Sequence, residues 1–152
     1  MAREIERKFL VAGDAWRRAA GEGQRIRQAY LASGGPAEIR VRICDGARAV
    51  LTIKSAAPGL SRAEFEYPIP LADAEELIAL RTGGCLEKRR FTIPADAGLR
   101  WEIDVFAGTH QGLCLAEIEL ASPDQAFAMP DWLGAEVTGD PRYYNATLAR
   151  TA

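Results

Sequence analysis

At 152 residues with 48% hydrophobic content, the chain is long enough to bury one sizeable core, and a single domain over residues 1–152 is expected. A formal net charge of -2 argues against general affinity for nucleic acid or anionic membranes, partners that usually call for a basic excess. Cys44, Cys85 and Cys114 form a widely spaced, odd set without C-x-x-C spacing, which suits a reducing compartment and reads as three small, partly buried apolar side chains rather than ligands.

No long apolar run precedes Glu4, so a soluble cytoplasmic protein is the expectation. Glu4-Ile5-Glu6-Arg7-Lys8 places charges at every second position, although Glu4 and Lys8 are also spaced as an ion pair on a helix. The later segments decide for strands: "EIRVRI", "AVLTIK", "AEFEYPI", "RRFTIP", "RWEIDVF" and "LAEIEL" repeat the alternation with β-branched and aromatic residues opposite the charges. Ser33-Gly34-Gly35-Pro36, Asp45-Gly46, Pro58-Gly59 and Asp96-Ala97-Gly98 are turn signals at antiparallel hairpin spacing. A short helix is predicted to begin at Asp14. A second begins at Asp73 with Glu76 as a capping box, uses Leu77, Ile78 and Leu80 as its apolar side, and stops at Gly83-Gly84. Ser122-Pro123 and Asp140-Pro141 predict helices near 123–129 and 141–150.

About eight strands with one charged face each admit two arrangements. Charges outward give a barrel or sandwich with a dry core. Charges inward give a wide antiparallel barrel with helices against its apolar outer face. Acids and bases in the alternating set nearly balance, and burying them all without water or ligand would be prohibitive, so the inward arrangement requires a wet or ligand-filled interior.

The opening Glu4-x-Glu6-x-Lys8, followed in order by "IRQAYL", "RVRI", "LTIK", "SRAEFE", "KRR", "EIDVF", "LAEIEL" and "DPRYYNATLA", resembles the CYTH-domain, or triphosphate tunnel metalloenzyme, family over nearly the whole chain. The resemblance implies an α+β fold: an eight-stranded antiparallel β-barrel, a tunnel or cup with a charged interior and helices packed outside. It selects the inward arrangement. It also implies that Glu4, Glu6, Glu117 and Glu119 are metal carboxylates for Mg²⁺ or Mn²⁺, ions that suit oxygen ligands and phosphate. Glu4, Glu6 and Lys8 are the implied catalytic set, with Lys8 contacting the phosphate chain or pairing with Glu4 or Glu6.

Arg40, Arg42, Lys54, Arg62, Lys88 and Arg90 are expected to bind triphosphate, Arg40 and Arg42 as planar forks. Glu64, Glu66, Glu102 and Asp104 either orient these cations or bind a second metal. Tyr30, at strand spacing from Gln28, is either tunnel-facing or core. His110 reads as an exposed hairpin residue, and Arg142, Tyr143 and Asn145 as structural or gating residues where the last helix closes one tunnel end.

No P-loop, H-E-x-x-H or G-x-S-x-G motif is present, and the "DTYFDTP"-like stretch of thiamine-triphosphatase and class IV cyclase branches is replaced by "IRQAYLASGGP". The chain is similar instead to short bacterial members associated with inorganic tripolyphosphate. The expected activity is metal-dependent cleavage of tripolyphosphate to pyrophosphate and phosphate, with nucleoside triphosphates as a further substrate class. The competing expectations are a class IV-type adenylate cyclase and a non-catalytic polyphosphate- or nucleotide-binding module. No nucleic-acid or membrane partner is expected, and a homodimer of barrels is compatible with the sequence.

Overall fold

The computed structural model describes residues 3–56 and 61–152. Among the described residues nine strands form: β1 (Arg3–Val11), β2 (Gln24–Ala32), β3 (Ala37–Cys44), β4 (Arg48–Ser55), β5 (Ser61–Ile69), β6 (Thr82–Pro94), β7 (Arg100–Phe106), β8 (Cys114–Glu119) and β9 (Leu133–Glu136). Eight of them run β5-β4-β3-β2-β6-β7-β8-β1, and antiparallel pairing of Arg3–Ile5 with Ser61–Ala63 closes the ring. β9 adds to the C-terminal half of β1. It was not predicted, since four residues that include Gly134 are too short to display alternation.

The Asp45-Gly46 turn forms as expected, with both residues at positive φ and the Ala47 N–H donating to the Cys44 carbonyl at 3.0 Å. The expected Pro58-Gly59 turn lies outside the described residues.

Helix α1 (Leu71–Ala79) packs on the outer wall over β2, β3 and β4. It starts earlier than predicted. Pro70 holds the N-cap position with extended backbone, and Asp73 sits in the first turn, where it complements the helix dipole rather than capping. Ala74 and Ile78 make the buried stripe, whereas Leu80 is 70% exposed. Gly83-Gly84 does not stop this helix. Both lie within β6, where a Cβ would collide with the chain at Ala149, Arg150 and Ala152.

The predicted helix at 123–129 does not form. Gln125 Oε1 accepts from the Ala121 N–H at 2.6 Å, and Phe127 leaves the segment to stack edge-on against Phe9 and Trp101, so an irregular stretch covers the outer apolar wall. Trp16, from a 3₁₀ turn at Ala15–Ala19, covers Phe91 on that wall.

The predicted 141–150 helix splits into a 3₁₀ turn (Pro141–Tyr143), capped by Asp140, and α2 (Asn145–Arg150). Among the described residues no helix is long and apolar enough to cross a membrane. Cys44, Cys85 and Cys114 are free, the first buried and the others half-buried.

Helix α2 closes one end of the barrel. At that end the inward positions turn apolar: Tyr30, Leu86, Phe106 and Leu115 pack with Ala146, Leu148 and Ala149. The nearest charged groups are tied to this plug. Lys88 Nζ donates to Asn145 Oδ1 at 2.9 Å, Gln28 Nε2 to the same oxygen at 3.4 Å, and Lys8 Nζ to the Tyr143 carbonyl at 2.9 Å. His110 is a structural residue of this closure, its Nε2 lying 2.7 Å from the Leu148 carbonyl.

Candidate active site

The inward alternation on seven strands produces one cavity of about 470 Å³, lined by Glu4, Glu6, Lys8, Arg40, Arg42 and Lys54, and beyond them by Arg62, Glu64, Glu66, Arg90, Glu102, Glu117 and Glu119. The register explains the gathering: Glu6 stands opposite Glu119, Lys8 opposite Glu117, Glu102 opposite Glu117, and Lys54 opposite Glu64.

Three predicted residues fall outside the lining. Lys88 and Asp104 are buried below it, and Tyr30 belongs to the apolar plug at 4% exposure. Glu38 and Arg100 also line the cavity. Their parity with Arg40 and Glu102 was the available signal. Thr138 and Gly139 come from an irregular connection that carries no sequence signal.

Most charges are matched. Asp104 accepts two bonds from Arg90, at 2.7 and 2.8 Å, and one from Lys88 at 2.7 Å. Burial pushes its carboxyl up, but these two cations outweigh burial and hold it far below the usual carboxylate range. Glu102 accepts from Arg90 at 3.0 Å. Glu4 accepts from Lys54 at 2.6 Å and Arg62 at 3.1 Å, and Arg62 also reaches Glu38 at 3.2 Å. Glu117 is held low in spite of burial by Lys8 and Arg90, with Lys8 Nζ 3.8 Å away.

The residual mismatch is local and of both signs. On the basic side, among the described residues Arg40 Nε is buried with no hydrogen-bond partner, and Arg40 Nη2 finds only Thr52 Oγ1 at 3.3 Å. Arg42 donates Nε to Gln28 Oε1 at 3.0 Å, and burial with the neighbouring Arg40 and Arg90 lowers its guanidinium to about 9. Among the described residues neither arginine has a carboxylate within ion-pair distance.

On the acidic side, burial and the adjacent Glu117 and Glu4 push Glu6 well above the carboxylate range. Burial with Glu4 and Glu102 raises Glu119, which has no ion-pair partner among the described residues. Burial and the Glu4 hydrogen bond raise Glu64 to about 7. A buried unpaired guanidinium calls for an anion, and clustered carboxylates that resist ionisation call for a cation.

Among the described residues no three acids stand together as a metal-ligand group, and Glu4 is engaged by Lys54 and Arg62. The donor chemistry nevertheless fits a hard divalent cation, which takes carboxylate oxygens.

The raised acids fix the pH response of the metal-free protein. Between 4.5, the ordinary glutamate value, and about 7, Glu64 holds more proton folded than unfolded, and Glu6 acts in the same sense. Their contribution is therefore fully present below 4.5 and is lost as pH rises through the folded value. Thermal denaturation in chelator should show a midpoint that declines from about pH 5 to about pH 7, and millimolar Mg²⁺ should flatten that decline.

A closed barrel with guanidinium in excess at one part of its inner wall and carboxylate at another offers complementary charge to a polyanion and to a cation. The chain matches the CYTH domain over residues 2–148, and it belongs to that family. It is 42% identical over 151 residues to an inorganic triphosphatase of Acetivibrio thermocellus, covering 99% of this chain and 95% of that protein. It is 41% identical over 149 residues to an inorganic triphosphatase of Nitrosomonas europaea, covering 96% of each. The crystal structure of an inorganic triphosphatase superposes with a TM-score of 0.69 at 38% identity, covering 100% of this chain and 97% of that one. Family membership implies a triphosphate substrate and a divalent-metal requirement.

Proposed function

We propose that the protein is a metal-dependent inorganic triphosphatase that cleaves tripolyphosphate to pyrophosphate and phosphate, accepts nucleoside triphosphates as a further substrate class, and works as one unit over residues 1–152. The observation that carries this reading is the coexistence, in one cavity, of Arg40 and Arg42 without carboxylate partners and of Glu6 and Glu119 with raised carboxyls. The two relatives named as inorganic triphosphatases support it over the cyclase and the non-catalytic module.

Glu4, Glu6, Glu117 and Glu119 would hold Mg²⁺ or Mn²⁺, which neutralises phosphate oxygens and polarises water when bound. Everything else falls to the chain's own residues. Phosphoryl transfer through a loose transition state asks mainly for positioning and charge stabilisation. Arg40 and Arg42 offer their forks to phosphate oxygens, with the guanidinium of Arg40 already missing one partner. Lys54 and Arg62, now engaged with Glu4, would be free to turn toward phosphate oxygens if Glu4 held the cation. Lys8 is held by the Tyr143 carbonyl beside Glu117, between the acidic wall and the substrate chain. Arg90, Glu102 and the buried Asp104–Lys88 pair set the orientation of these groups rather than contacting the metal.

Steady-state kinetics of Arg42→Ala with tripolyphosphate tests the reading. The expected result is a rise in KM of about 10- to 100-fold, the loss of one charge-assisted contact, with no loss of thermal stability, because a buried cation without a carboxylate partner is removed. An unchanged KM would remove Arg42 from the substrate site.

A further inference from the structure

The outer wall carries a second cavity, of about 540 Å³, that the triphosphatase reading leaves unused. Its outward-pointing residues alternate with the inward-facing ones: Arg25 and Arg27 on β2, Glu87, Arg89 and Phe91 on β6, and Val105 on β7, joined by Arg17 from the 3₁₀ turn at Ala15–Ala19, while Ile26, Lys88 and Phe106, of inward parity, also border it. Four guanidinium groups from three elements thus face one groove, Glu87 is the one acid in the lining, and none of the four lines the tunnel. This concentration of positive charge occurs on a chain whose formal net charge is -2.

Three of the four arginines are already held in place. Arg17 stacks 4.4 Å over the Trp16 ring and 5.8 Å from that of Phe91. Arg27 forks onto Glu75 of α1 at 3.0 and 3.2 Å. Arg89 donates to the Glu22 carbonyl at 2.9 Å. Arg25 is exposed, and its side chain has no hydrogen-bond or ion-pair partner among the described residues. Forked donors fixed in advance suit phosphate oxygens, whereas the half-buried Val105 and exposed Ala107 beside them, next to the Phe91 ring that Trp16 and Arg17 already cover, suit the face of a flat apolar group. An inorganic anion would use only the first of these features.

We infer that this groove is a second binding site for a small aromatic anion of the nucleotide class, with its ring against Val105 and Ala107 and its phosphates toward Arg17, Arg25 and Arg89. The site is independent of the tunnel, so its test does not depend on turnover. Titration calorimetry with ADP on Arg40→Ala/Arg42→Ala, which disables the tunnel arginines, should still show one site per chain with affinity close to wild type. Adding Arg25→Glu/Arg89→Glu to that tunnel variant should cost about tenfold or more in ADP affinity, and Arg25→Glu/Arg89→Glu alone should keep tripolyphosphate turnover and the thermal midpoint near wild type as the check on folding. Loss of all ADP binding in the tunnel variant would overturn the inference. So would undiminished binding in the combined variant, or displacement of ADP by inorganic pyrophosphate at equal or lower concentration, which would mark an anion patch without recognition of the ring.

Discussion

Glu6→Gln is expected to lower metal-dependent tripolyphosphate turnover by at least about 100-fold, since losing a direct carboxylate ligand should cost no less than losing a residue that only supports one, and at the same time to raise the melting temperature of the metal-free protein. The two effects share one cause. Glu6 faces Glu119 across the strand pair, and burial together with Glu117 and Glu4 drives its carboxyl upward, so ionising it in the folded site is costly even with Arg62 Nη2 4.0 Å away. An amide of nearly the same shape removes the repulsion and removes the ligand. Stability is given up at this position for cation binding, the usual exchange at functional sites. Turnover near wild type, or a fall in melting temperature, would separate Glu6 from the metal.

Asp104→Ala should show the opposite pattern, with a large loss of stability before any question of catalysis arises. Asp104 is 1% exposed and holds both Lys88 and Arg90, so its removal leaves the buried Lys88 without a carboxylate and Arg90 with Glu102 alone. Breaking a buried pair by deleting one partner costs about 3–5 kcal/mol, and for a chain of this size the melting temperature should fall by about 10 °C or more. Lys88→Met should cost much less, because Asp104 would keep its two bonds from Arg90 at 2.7 and 2.8 Å. Differential scanning calorimetry of the two variants decides the point: equal losses would contradict the assignment of Asp104 as the hub of this wall.

The inner wall was legible in the sequence because period-two alternation is a direct consequence of strand geometry, and it placed Glu4, Glu6, Lys8, Arg40, Arg42 and Lys54 on a common face before any pairing was known. Facing inward is not the same as facing the cavity. Lys88, Asp104 and Tyr30 satisfy the alternation yet lie at or below the end that α2 plugs, and which end of a barrel is closed depends on a docking that local sequence does not encode.

The helix errors have the same origin. Asp73 with Glu76 makes a sound capping box, but the chain leaves β5 through Pro68 and Pro70 and is already helical at Leu71. Gly83-Gly84 looks like a helix stop, and its actual demand is steric, because the C-terminal residues cross β6 there. Ser122-Pro123 promises a helix that the burial of Phe127 against Trp101 overrides. In each case a local signal of about 1 kcal/mol gave way to a tertiary contact.

The central claim is that cation and triphosphate meet on this wall and that a phosphoanhydride bond is hydrolysed there. Its most direct test is product identification by phosphorus NMR after incubating the purified protein with tripolyphosphate in chelator, in Mg²⁺ and in Mn²⁺. The account predicts pyrophosphate and phosphate in equal amounts with at least one of the two metals and none in chelator. Intact tripolyphosphate under all three conditions, or equal rates with and without metal, would contradict it.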